Sequence, residues 1–344
     1  MDSKTIRLVD LTAANAIEFC NNEYDFEGLE EVIYDHKFLG TVEPFAMLLA
    51  GSKIRELYDK FPDVTYRDIN FKHNDYAAHM GFFQSVYQDF GNKPGEANGS
   101  STYVPITELD VKKLKIESYE NSEVVQETIE RKAINLARVL SRDNRKLRNI
   151  LSYSIRELMR NIVEHSESES IWFAGQFWPS KDRVEIAILD EGVGIKQALS
   201  FNPNLKIRSD IDALLLSIEP GISGKAFKYK GKMRRQEDTI WQNSGYGLYV
   251  TSEICQLGGD FLICSGNNAV IVKNNIYADK ETNFKGTGIR MRLKVSRINS
   301  INEDIIDKIV KKGEQKAKEN SELSIISASK VSRMLTVTQG SESK

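Results

Sequence analysis

Apolar residues recur along this chain with two periods, one near two residues and one near 3.6, and the change from one to the other predicts where strands give way to helices. "TIRLVDL" (Thr5–Leu11) and "VTYRDINF" (Val64–Phe71) alternate apolar with polar side chains, as half-buried strands do. Between them, "PFAMLLAGSKIRELYDKF" (Pro44–Phe61) opens on proline, a favoured first helical residue, and keeps a helical stripe up to Pro62. "YAAHMGFFQSVYQDF" (Tyr76–Phe90) reads as a second helix, and "GNKPGEANGSS" (Gly91–Ser101) as a surface loop. Residues 1–118 are therefore expected to form a small α/β domain, and no catalytic constellation stands out in it.

From Ser122 to Ser166 the period is almost wholly helical. "SEVVQETIERKAINLARVL" makes one amphipathic helix and "NRKLRNILSYSIRELMRNIVEHS" another. Strands follow at "SIWFAGQFW" and "DRVEIAILD", joined through a hairpin turn at "SKD". A long irregular stretch, Lys196 to Asn243, precedes the helix "GLYVTSEICQLG", and two or three more strands end in "GTGIRMRLKV". The pattern predicts an α+β domain over residues 119–298. A charged amphipathic helix and a Ser- and Thr-rich tail, expected to fray, occupy 299–344.

Composition narrows the class. The 344 residues are 40% hydrophobic and 28% charged with a net charge of -2, the balance of a soluble globular protein with no global pull towards nucleic acid or anionic lipid. No run of eighteen or more apolar residues occurs, and "MDSKTIRLVD" lacks the pattern of a secretory leader, so neither a membrane span nor export is expected. Cys20, Cys255 and Cys264 read as free thiols of a reducing cytoplasm. The four histidines are scattered, which argues against a zinc site.

Candidate chemistry begins in "RELMRNIVEHS". Leu158, Met159, Ile162 and Val163 form the apolar stripe, while Glu157, Asn161 and Glu164 share another face. A solvated polar face explains these three equally well. In "ILDEGVGI", an apolar strand runs into Asp190 and then Gly192 and Gly194; a carboxylate there can accept a hydrogen bond from an amino group, though a plain turn gives the same string. In "QNSGYGLYV", Gly245 and Gly247 precede a helix whose free N–H groups favour phosphate, without the spacing of a P-loop or a Rossmann turn. "GKAFKYKGKMRRQ" (Gly224–Gln236) is cationic throughout and reads as a solvated loop, a mobile lid over a polyphosphate, or a nucleic-acid contact. "KGTGIRM" sets Gly286, Thr287 and Gly288 at the opening of the last strand.

Taken in order, these strings resemble the GHKL superfamily, which comprises type II topoisomerases, heat-shock chaperones, histidine kinases and mismatch-repair ATPases. The resemblance covers about Asn144 to Val295. It implies a two-layer α/β sandwich, the Bergerat ATP-binding fold, with ATP and Mg2+ as cofactors. It also implies roles. Asn161 matches the magnesium ligand, Glu157 the general base, Asp190 the adenine-reading acid, and Thr287 the residue supporting the water beside that acid. Gly192 and Gly194 would line the base. Gly245, Tyr246, Gly247 and Leu248 would meet the phosphates, and Lys225 and Lys228 are candidates for the γ-phosphate. Two departures stand out: Asn243 occupies a position usually glycine, and the loop carrying "GISG" is long. The first domain is similar, through its strand and helix order and the "HMGFF" turn, to STAS-like domains of bacterial regulators.

No histidine lies between Ser122 and Glu164 to serve as a phosphoacceptor, which disfavours an autokinase. The expected function is an ATP-hydrolysing switch acting on a protein partner or through a homodimer. The alternatives are a protein serine kinase of the anti-sigma-factor type and an ATP-gated binding module without turnover. Nucleic acid is left open as a partner and is not implied.

Overall fold

The structure, a computed structural model, describes residues 2–97, 100–229, 232–234, 245–302 and 304–319. The chain opens with β1 (Ser3–Leu11), α1 (Ala13–Asn21), β2 (Glu31–Val42), α2 (Pro44–Lys60) and β3 (Thr65–Ile69). The three strands pair parallel in the order β1-β2-β3, each joined to the next through a helix, as parallel pairs require. Next come α3 (Asp75–His79) and α4 (Phe82–Ser85), which replace the one helix expected over Tyr76–Phe90. Gly81 stands between them at φ 85°, a left-handed conformation that ends a helix.

The second part begins with β4 (Tyr103–Asp110), α5 (Val111–Glu120), α6 (Val125–Ser141) and α7 (Arg145–Asn161), which runs on into a π-helical turn at Ile162–Ser166. The hairpin β5 (Ser170–Trp178) and β6 (Arg183–Asp190) follows as expected. The stretch from Lys196 to Asn243 is less irregular than its composition suggests. It holds most of α8 (Gly194–Ser200), α9 (Asp210–Ser217) and a short antiparallel pair, β7 (Phe227–Tyr229) and β8 (Lys232–Arg234). Ser209 and Asp212 close a capping box on α9, a signal readable in "SDIDALLLS". The remainder is α10 (Gly247–Gln256), β9 (Asp260–Lys273), β10 (Ile276–Lys294), α11 (Val295–Asn299) and α12 (Ile305–Glu319). Residues 320–344, expected to fray, lie outside the described residues. No helix among the described residues is long and apolar enough to cross a membrane.

The fold is thus mixed α/β, with a small parallel sheet and a five-stranded antiparallel sheet ordered β4-β5-β6-β10-β9. In the larger sheet, alternate residues of each strand feed two different cores. Phe173, Val184, Ile186, Ile188, Phe261 and Ile263 face α6, α7 and α10. Trp172, Ala174, Ala187, Leu189, Leu262 and Cys264 face the other way, packing with Phe45, Leu48 and Leu49 of α2. A sheet buried on both faces demands nearly continuous apolar strands, which is why "VEIAIL" lacks polar alternation. The first segment therefore adds a third layer to the two expected. The expected boundary at 118 also cuts across this arrangement, because β4 is the edge strand of the larger sheet.

Glu185, fully buried, is a polar residue on the face turned to α2. Its Oε1 accepts from Phe45 N at 3.2 Å, at the first turn of α2, and its Oε2 accepts from Arg292 Nε at 2.6 Å. Arg292 also meets Glu43 at 2.6 Å, just ahead of that helix. Burial pushes the Glu185 carboxyl up, and Arg292 opposes the shift. Replacing Glu185 with Ala leaves a buried guanidinium short of a partner and a helix start uncapped. Urea denaturation is expected to show a loss of about 3 kcal/mol; a loss near zero would mean that the ion pair does not hold α2 on the sheet.

Candidate functional site

On the face opposite α2, the end of β6 and the middle of β10 meet the C-terminal end of α7 around a cavity. Its cavity volume is about 80 Å³, and it opens to solvent. Asp190, the last residue of β6, stands in register with Thr287 of β10 at its floor. The Asp190 carboxylate accepts from Gly192 N at 2.9 Å and from the Thr287 side chain, and is 2% exposed. Burial pushes its carboxyl up to about 7, against the lowering pull of the Gly192 and Thr287 hydrogen bonds. Such a group sits between a proton donor and an ionised acceptor near neutral pH.

The glycines beyond it have a local cause. A Cβ on Gly192 would lie 2.0 Å from the Ser166 carbonyl oxygen, and Val193 N donates to that same oxygen at 2.8 Å. The loop is thereby clipped to the end of the α7 extension, and its glycine is required by that contact before any ligand is considered. Gly247 is comparable: a Cβ there would stand 2.7 Å from Glu157 Oε2. The turn before α10 thus rests directly on α7.

Of the residues singled out from sequence, Asn161, Asp190, Gly194, Gly245, Gly247, Leu248 and Thr287 line the one cavity. Others stand apart from its wall. Glu157 is 3% exposed; its Oε1 accepts from Arg156 Nε and Nη2 at 3.1 and 3.0 Å, and Arg160 approaches at 3.6 Å. Its Oε2 points to the glycine turn. Gly192 serves the loop clip just described. Tyr246 is 1% exposed and turns into the core, edge-on to Tyr249. Lys225, a γ-phosphate candidate, donates instead to the Glu164 carbonyl at the end of the helix. Lys228 lies in β7, but its side chain falls outside the described residues, as do Asn243 and most of the lid cations.

The apolar wall was not anticipated. Leu158, Ile162, Ile188, Ile195, Leu199 and Ile289 make up the apolar part of the cavity lining. Ile188 and Ile289 were findable, since they lie two residues from Asp190 and Thr287 and so share their side of the strands. His165 also lines the cavity; burial pushes it down to about 4, helped by Lys225 and Arg160, so it is a neutral imidazole at neutral pH. Among the described residues, no group of three or more His, Cys, Asp or Glu side chains is placed to hold a metal ion. The Asn161 amide, which carries a hard oxygen, lines the cavity, and magnesium bound mainly by phosphates and water needs only one or two protein ligands.

The α2 layer reaches the residue that follows Asp190. Arg55 donates to Glu191 Oε1 at 2.6 Å and to the Ser85 carbonyl at 3.1 Å, with its guanidinium 4.0 Å above the Trp172 ring. Glu191 adjoins Asp190, and its charge is among the causes that raise the Asp190 carboxyl.

In comparisons with known proteins, no family model and no characterised relative matches the sequence.

The Asp190 shift has a consequence for stability. Its folded value near 7 lies above the ordinary carboxylate range, so the folded state holds the proton more tightly than the unfolded chain. Stability from this group is full in acid and is lost as pH rises towards and through about 7. Asp190→Asn removes that loss. Urea denaturation at pH 8 is expected to find the Asn protein more stable than wild type by on the order of 3 kcal/mol, with the gap closing towards pH 4. A gap that does not change with pH contradicts the assignment.

Proposed function

We propose that the cavity binds ATP with magnesium in the manner of the GHKL superfamily, and that binding and hydrolysis drive a conformational switch read by a partner. The observation that carries this reading is the convergence of Asp190, Thr287, Asn161, Gly245 and Gly247 on one slot with apolar walls. Ionised Asp190 accepts a hydrogen bond from the exocyclic amino group of adenine, and the isoleucines and leucines cover the ring faces. The triphosphate runs towards the N-terminal turn of α10, where backbone N–H groups and the helix dipole favour anions. Asn161 would hold Mg2+, which supplies positive charge to the phosphate oxygens.

Glu157 is the candidate general base, with Oε2 turned to the glycine turn that receives the phosphates. Arg156 and Arg160 fix its other oxygen, so orientation of an attacking water falls to Oε2. The same clamp favours a second reading. Two guanidiniums already satisfy this carboxylate, and a protein that binds ATP without turning it over would keep them in place. The two-layer Bergerat sandwich and a STAS-like first segment belong to this proposal as well: the α2 layer would be the element through which occupancy of the slot is passed on, by way of Arg55 and Glu191.

Calorimetry and a phosphate-release assay separate these readings. Wild type is expected to bind ATP in a magnesium-dependent way and to release phosphate. Asn161→Ala is expected to lose the magnesium dependence. Glu157→Ala is expected to keep binding and to slow release by on the order of 100-fold. Tight binding with no release by wild type selects the non-hydrolysing module. No binding at all, with the protein folded, overturns the nucleotide site.

A further inference from the structure

Arg183 and Asp190 are the two ends of β6, so the nucleotide slot has an opposite pole on the same strand. There the beginnings of β6 and β9, the end of β10 and the start of α11 border a second cleft of about 320 Å³. The turn of the β9–β10 hairpin closes its rim: Asn274 and Asn275 both have positive φ, and Asn275 N donates to Gln256 at 2.9 Å, folding the hairpin back onto the end of α10.

The charge in this cleft is one-sided. Lys181, Arg183, Lys273, Arg292, Lys294 and Arg297 line it, against Asp182 and Asp260. In a chain with 47 basic and 49 acidic residues, that imbalance is local. Both acids are already engaged. Asp182 accepts from Ser296 through both of its oxygens, and Asp260 accepts from Arg290 Nη2 at 2.5 Å. Arg292 is held by Glu185 and Glu43. The other five cations have no acidic partner among the described residues. Arg183 adds a second, independent sign: its Nε is buried without a hydrogen-bond partner among the described residues. A buried donor left unpaired is a cost that a bound acceptor removes.

An aromatic ring accompanies the cations. The Arg183 guanidinium lies 4.6 Å from the Trp178 ring centroid and Lys181 Nζ 5.8 Å from it, so the half-buried indole is backed by positive charge at the edge of the cleft. Cations that follow a groove beside a π face are the two elements that hold an unpaired nucleotide strand, phosphates on the first and a base on the second.

We propose that this cleft binds single-stranded nucleic acid. A flat anionic bilayer fits a concave groove poorly, and a duplex keeps its bases stacked away from Trp178. The site is independent of the nucleotide slot, so it stands whether or not ATP binds there.

Fluorescence anisotropy of a labelled oligothymidylate with the full chain tests it. Wild type is expected to bind, with affinity falling as salt rises. The Lys181→Glu, Lys273→Glu, Lys294→Glu triple variant is expected to weaken binding at least tenfold at low salt and to flatten the slope of log K on log salt by about 2. Trp178→Ala is expected to weaken binding about fivefold or more with the slope unchanged. Lys→Gln changes at the same three positions, checked by thermal midpoint, give the same direction and guard against a misfolded triple variant. Absence of wild-type binding at low salt, unchanged affinity in the charge variants or in Trp178→Ala, or equal affinity for duplex DNA, heparin or phosphatidylserine vesicles overturns the proposal.

Discussion

Burial of the Asp190 carboxylate is the constraint around which the candidate site is arranged. An apolar strand delivers this group to the floor of the cavity, where it is 2% exposed, and among the described residues Gly192 N and Thr287 offset the lost hydration. Those two contacts in turn dictate their surroundings. Gly192 has to lie against the Ser166 carbonyl, which clips the loop to the α7 extension. Thr287 has to hold register across β6 and β10. A rigid floor, one acidic acceptor and apolar walls are what a flat ligand with an amino edge requires, and they exist before any ligand arrives.

The second face of the same sheet connects this floor to the first segment. Neighbouring residues of β6 alternate between the slot side and the α2 side, so Asp190 and Leu189 belong to different cores while sharing a backbone. Glu185 ties the start of α2 to the sheet, and Arg55, farther along α2, reaches Glu191 next to Asp190. A displacement of the loop at 190–194 therefore has a direct polar route into the first segment, through side chains of which Arg55 is itself buried. This is a mechanical link within one packed body, and it differs from two domains joined by a tether.

Sequence reading was strongest where chemistry and period coincided. Asn161, Asp190 and the glycine turns were visible as strings, and at Gly192 and Gly247 the local contacts require the glycine. Helices α6 and α7 and the β5–β6 hairpin were legible as well. Strand β2 was missed because Asp35, His36 and Lys37 break its apolar run, yet His36 is buried and bonded to Asp68 of β3 at 2.5 Å, a partner that only the fold supplies. Strand β4 was missed because Pro105 argues against a strand, although an edge strand tolerates it. Glu157 shows the limit for single residues. Arg156 and Arg160 were visible on either side of it, but helical spacing alone does not say that a neighbour at i−1 will fold its guanidinium back onto the carboxylate. The third layer was invisible from local pattern, because it arises from packing between distant segments.

The central claim is that Asp190 recognises an amino group on a purine, and a change of one atom group on the ligand tests it most directly. Calorimetric titration of the wild-type protein at pH 8 with ATP, and with the purine riboside triphosphate that lacks the 6-amino group, isolates that contact. The account predicts that the analogue binds more weakly by about 10- to 100-fold, as expected for a lost hydrogen bond to a charged, buried acceptor. Equal affinity for the two triphosphates would contradict it.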